Sequence, residues 1–176
     1  MPIISERIAQ ADDPIYSSGL TMTLINHSTP KEEKEFDLVE VYKRNKFLIK
    51  DNTEDIWFSI EEQIDKKYFE IPFAIITAWN PINESFSKDA NICFNNKLEE
   101  QLRALKYAYK KSIGKCDGHS EESFIVYRIS KKDALKLGRE FKQYSIFYND
   151  TRNFEYIECE SENILLKASI TTVEKN

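Results

Sequence analysis

The residues best suited to chemistry gather around the end of one apolar run. Phe73–Ala78 is an unbroken apolar, β-branched stretch; Thr77 lies inside it, Asn80 just past it, and Asn91 a short way into the helical pattern that follows. The carboxyl end of a buried strand followed by a helix N-terminus is where open α/β sheets place ligands, and free backbone N–H groups near Ser87 to Ala90 would add positive potential. Glu122 and Gln143 border other apolar runs and offer an acid and an amide to the same place. These five residues define a candidate pocket for a small polar or phosphorylated molecule. Its oxyanion or carbonyl would be oriented by hydrogen bonds worth about 0.5–1.5 kcal/mol each. The same residues also suit plain turn chemistry, with Asn80 shaping an Asn-Pro turn and Thr77 satisfying a backbone group. No nucleophile accompanies them, so binding is expected before catalysis, and enzymatic activity stays open.

Other reactive types are poorly placed. His119 sits in a polar stretch without a Ser or Cys elbow, which argues for a solvent-facing side chain rather than a triad. Cys93, Cys116 and Cys159 are odd in number and widely spaced, with no CxxC and no His at metal-ligand spacing. They read as reduced thiols in a cytosol, with neither a disulfide framework nor a metal site. Four glycines, none in a GxGxxG or GxxxxGK[ST] arrangement, leave no phosphate-cradling loop, and no cofactor is expected.

The elements that must position these residues follow from periodicity. Phe36, Val39 and Tyr42 suggest a short helix over 34–42, feeding a strand at 46–50, with a second strand at 56–60. Pro72 fits a strand start or edge. Phe73–Ala78 reads as the central strand, which requires both Ile75 and Ile76 to be buried. Ser87 is an N-cap, and Ala90, Phe94, Leu98 and Leu102 mark an amphipathic helix of about four turns. A strand at 107–113, a polar loop at 114–118 and a strand at 123–129 come next. Ser130 and Asp133 form a capping-box variant before a helix whose Gly138 permits close approach to the sheet. Residues 143–148 and 154–158 form a hairpin, and 164–170 supply an edge strand. The result is an α/β (α+β) domain over 36–176, a mixed sheet of about six strands with two main helices packed mostly on one face. Residues 1–35, with Pro2, Pro14, Gly19, Pro30 and the charged tract at 31–35, read as an extension with a weak strand at Thr21–Ile25.

A chain of 176 residues is long enough to bury about 70% of its unfolded surface in one core. Net charge is −5, which disfavours wholesale attraction to nucleic acid or an anionic membrane. No stretch approaches the roughly 18 apolar residues of a membrane span, and no leader is evident, so a cytoplasmic protein is expected. The charge is uneven: residues 97–142 carry 12 basic against 7 acidic side chains, while residues 1–96 carry 10 against 17. Arg103, Lys106, Lys110, Lys111 and Lys115, interleaved with Tyr107 and Tyr109, supply a second reading. In it the chain is a non-enzymatic module meeting an acidic protein or nucleic acid through this segment. Trp57, Phe58 and Tyr144–Tyr148 read as core rather than as a stacking platform.

Several short motifs also form a recognisable set: Thr77-Ala78-Trp79-Asn80-Pro81, then Asn91, Glu121-Glu122-Ser123-Phe124, and Leu137-Gly138-Arg139-Glu140-Phe141-Lys142-Gln143. With them, roughly residues 70–148 resemble a family of bacterial domains of unknown function, with a strand ending T-A-x-N-P, an E-x-S-F strand and an L-G-x-x-F-x-Q helix-to-strand passage. The resemblance implies a small α/β domain and supplies no reaction. The long charged N-terminal extension departs from it.

Overall fold

The structure, a computed structural model, describes residues 38–50, 54–62 and 65–170. The extension over 1–35, its strand at Thr21–Ile25 and the start of the first expected helix lie outside the described residues.

Phe73–Ile76 forms a strand (β3) buried at all four positions, as an apolar run covered on both faces must be. Ile75 is 5% and Ile76 1% exposed, so both meet the expectation for a central strand. The run stops two residues earlier than its composition suggests, because side chains take over from the ladder. The Thr77 hydroxyl donates to the Glu122 carbonyl at 2.7 Å, and the Ala78 N–H is received by Asn95 Oδ1 at 2.8 Å.

Before β3 come a short helix α1 (Leu38–Arg44) and a hairpin, β1 (Lys46–Lys50) and β2 (Asp55–Phe58). The hairpin's second strand ends at Phe58 because Ser59 turns the chain, its Oγ accepting from the Glu62 N–H at 2.8 Å. After β3, α2 (Lys88–Ala104) leads to β4 (Ala108–Cys116) and β5 (His119–Tyr127). Then α3 (Lys131–Glu140) precedes β6 (Ser145–Asn149), β7 (Asn153–Glu158) and β8 (Ile164–Ser169). Both expected caps are present: Ser87 Oγ receives the Ala90 N–H and Ser130 Oγ the Asp133 N–H. The polar loop expected at 114–118 shrinks to Asp117-Gly118, with φ of 47° and 84°. Those angles make a two-residue turn that matches strand twist, so β4 and β5 run on as one long hairpin.

Among the described residues the sheet has eight strands in the order β2-β1-β4-β5-β3-β6-β7-β8, and all neighbours pair antiparallel. This corrects the expectation of a mixed sheet of about six strands. The reason lies in the crossovers. β3-α2-β4 joins strands that run the same way but leave β5 between them, and β5-α3-β6 likewise straddles β3. The centre, β3-α2-β4-β5-α3-β6, is therefore the split β-α-β arrangement of the ferredoxin-like type, extended on each edge by a further pair of strands.

Leu98 and Leu102 of α2 and Ala134, Leu135 and Leu137 of α3 share a core with Ala74, Ile76, Phe124 and Val126. On the other side of the sheet, Phe73 and Ile75 join Phe47, Phe58, Phe69, Phe147 and Phe154. Phe47 on β1 meets Phe147 on β6 at 5.1 Å, and Phe58 on β2 meets Phe154 on β7 at 6.1 Å. Those strands are not neighbours, so the sheet curls until its outer strands cover its own centre. Phe58 is buried as expected, whereas Trp57 is half-exposed with Lys115 Nζ 4.6 Å from its ring. No helix among the described residues is long and apolar enough to cross a membrane.

Candidate functional site

The turn after β3 is held by a lattice of amides. Asn80 adopts a left-handed conformation (φ 46°, ψ 56°), which Asn tolerates better than most residues but which still needs support ahead of Pro81. Asn91, one turn into α2, supplies it: its Oδ1 receives the Asn80 N–H and its Nδ2 donates to Asn80 Oδ1, each at 2.8 Å. Asn80 Oδ1 also accepts from the Phe86 N–H at 3.2 Å. Asn95, four residues after Asn91 on the same helix face, holds the Ala78 N–H and donates to the Glu122 carbonyl at 2.9 Å. Gln143 Nε2 donates to the Trp79 carbonyl at 3.1 Å, and Thr77 Oγ1 receives the Trp79 N–H at 3.0 Å.

Thr77, Asn80, Asn91 and Gln143 are thus brought together, but most of their capacity is spent on the turn itself. Asn91 is 1% and Asn95 3% exposed, so both act from inside the fold. The helix end is also partly consumed, since Ser87 takes the N–H groups of Ala90 and Asn91 through its hydroxyl and carbonyl.

Glu122 enters the lattice only through its backbone carbonyl; its side chain is exposed. The carboxylate that reaches the turn is Glu121, whose Oε1 accepts from Asn80 Nδ2 at 3.3 Å. Burial pushes the Glu121 carboxyl above the usual carboxylate range, and the Asn80 hydrogen bond and the neighbouring His119 offset this only in part. His119 is exposed, as expected. Ser123 lies two residues along β5 and so shares the face of Glu121. It is 5% exposed, and its hydroxyl has no hydrogen-bond partner among the described residues.

Sequence reasoning missed Asn95 and Glu121. The four-residue spacing of two asparagines in one helix was a usable signal for the first. For the second, choosing between adjacent glutamates depends on the phase of β5, which the Asp-Gly turn sets.

The basic stretch is absorbed in part. Arg103 and Lys111 both pair with Glu99, at 2.8 and 3.2 Å, and Tyr109 donates its hydroxyl to the same carboxylate at 2.9 Å. Glu99 is 8% exposed; burial pushes its carboxyl up, but Tyr109, Lys111 and Arg103 more than offset that and lower it overall. Farther along, Lys131 pairs with Glu155, Lys136 with Glu140, and Arg139 with Glu162. Five of the twelve cations of 97–142 are therefore paired with carboxylates close by in the fold. Among the described residues no group of three or more His, Cys, Asp or Glu is placed to hold a metal.

Comparison with curated proteins and with solved structures gives no match. Residues 76–146, which hold the whole amide lattice together with Glu121 and Ser123, match the model of a family described as Protein of unknown function (DUF3293), and this bears out the resemblance to a family of domains of unknown function.

Proposed function

We propose that this domain binds a small polar molecule at the carboxyl end of β3, with Glu121 as the anchoring group. One observation carries the reading: a half-buried carboxyl whose one hydrogen-bond donor among the described residues is Asn80 retains acceptor capacity a ligand donor can use. Asn80, Asn91, Thr77 and Gln143 act as positioning residues that fix the turn, and Ser123 offers a further hydroxyl on the Glu121 face. Glu122 would work through its carbonyl alone. The ligand class favoured is an amide, amine or polyol. A phosphate is disfavoured, because an ionised Glu121 repels it. Binding rather than catalysis fits a cluster that lacks an aligned nucleophile and base.

The domain is read as cytosolic, where three free thiols need no partner. In the alternative, a module that engages nucleic acid or an acidic protein through 97–142, five of the twelve cations are already paired with carboxylates of the chain itself.

The test is a fragment screen of amides, amines and polyols on the 15N-labelled full chain. Shifts should cluster at 77–80, 91 and 121–123 and vanish in Glu121→Gln. Hits that perturb other regions and survive that substitution would sink the reading.

A further inference from the structure

A concavity lies away from the amide lattice. It is a cleft of about 590 Å3, within the usual range of ligand pockets. Its walls combine an apolar floor that includes the exposed Ile71, the rings of Tyr68 and Tyr127, and the cations Lys67, Lys110 and Arg128. The described residues lining it include no carboxylate, although the chain as a whole is acidic; Asp65 lies 3.9 Å from Lys67 Nζ.

We propose that this cleft binds a small aromatic anion of the nucleoside monophosphate kind, its ring on the tyrosine and isoleucine wall and its phosphate at Lys110 and Arg128. An inorganic anion would use the cations and leave the apolar floor without purpose. An aliphatic acid would use the floor and leave the rings without purpose. A base joined to a phosphate uses all three, through stacking and charge-assisted hydrogen bonds.

Neither Lys110 nor Arg128 has a carboxylate partner among the described residues, whereas Lys67 has Asp65. Lys110 Nζ donates to the Lys50 carbonyl at 3.3 Å, and the Arg128 N–H donates to the Pro72 carbonyl at 2.7 Å while its side chain stays exposed. Desolvation raises the Tyr127 hydroxyl above its ordinary value, so it remains a neutral donor that a phosphate or base can use.

The experiment is calorimetric titration of the full chain with adenosine monophosphate, adenosine, inorganic phosphate and decanoate. The nucleotide should bind, more weakly as salt rises, and adenosine and phosphate should each bind about tenfold more weakly or worse. Arg128→Glu should abolish binding and Lys110→Ala weaken it about tenfold, whereas Lys132→Ala on the exposed face of α3 and Glu121→Gln should change nothing. Lys110→Ala serves as the deciding variant if Arg128→Glu fails to fold. No nucleotide binding, phosphate binding as tightly as nucleotide, decanoate binding more tightly than nucleotide, or loss of binding in Glu121→Gln with retention in Lys110→Ala would each overturn the proposal.

Discussion

The two faces of the sheet solve the same burial problem with different side chains. Beneath α2 and α3 the surface is mainly aliphatic, with Ala74, Ile76, Val126 and Ile146 meeting Leu98, Leu102 and Leu137. The opposite face is a run of rings: Phe47, Phe58, Phe69, Phe73, Phe147 and Phe154. A helix brings its own side chains and needs a surface that lets it come close. A face covered mainly by the curl of its own sheet must fill a wider gap, and large rings do so, with Tyr42 of α1 and Phe69 from the short helical turn before β3 adding to those on the strands. In this sheet the helix-covered face is the richer in aliphatic side chains and the curled face the richer in rings.

This contrast can be broken experimentally, beginning where the effect should be greatest. Phe147 touches the rings of Phe47, Phe58, Phe73, Phe154 and Tyr156. Phe147→Ala should cost about 3–5 kcal/mol in denaturant unfolding. Ile76→Ala on the helix-covered face should cost about 2–5 kcal/mol and, with its smaller side chain, less than the ring. If Ile76→Ala proved the more damaging of the two, the rings would not be the principal filling of the curled face.

Close helix approach is tested at Gly138. A Cβ there would lie 2.6 Å from Cys159 Sγ and 3.0 Å from Ile146 Cγ2. Gly138→Ala should therefore lower stability by about 1–3 kcal/mol despite the better helix propensity of alanine. A rise in the melting temperature would refute the tight contact. At the rim between the faces, Asn91→Ala strips the Asn80 N–H of its acceptor and should cost about 1–3 kcal/mol. An unchanged unfolding midpoint would mean that the lattice does not fix the turn.

The smallest effect is in pH dependence. Because the folded carboxyl of Glu121 is raised, its contribution to stability is full below the ordinary carboxylate value and is lost as pH climbs through the raised value. Glu121→Gln should flatten that alkaline-side loss. Glu155 behaves oppositely: burial pushes it up, but Lys131 and Lys167 more than offset this and lower it overall. Its contribution holds above the ordinary carboxylate value and is lost as pH falls through the lowered one. Unfolding curves of wild type and Glu121→Gln that run parallel across pH would contradict the assignment.

Much of the framework was legible from residues alone. Both helix caps, the buried β3, the hairpin around Asp150 and the role of Gly138 rest on local chemistry that neighbouring side chains reinforce. Strand order was not legible, because nothing in the residues of β3 or β4 announces that β5 will be inserted between them. The candidate site was half legible. The sequence brought Thr77, Asn80, Asn91 and Gln143 to one turn, yet whether an amide faces a ligand or another amide depends on angstrom-scale placement. Glu121 was passed over for Glu122 because a shift of one residue in strand phase exchanges the two faces.

The contact between Gly138 and Cys159 makes this protein its own reporter. Cys159 is fully buried beneath α3, and desolvation pushes its thiol up to about 12, so thiolate chemistry is suppressed while the helix is seated. Labelling at Cys159 should then proceed only through excursions that lift α3 from the sheet, whereas Cys93, exposed on α2, reacts at once. The ratio of the two alkylation rates in one sample is a clock for the detachment of a single helix, read by mass spectrometry without any engineered probe.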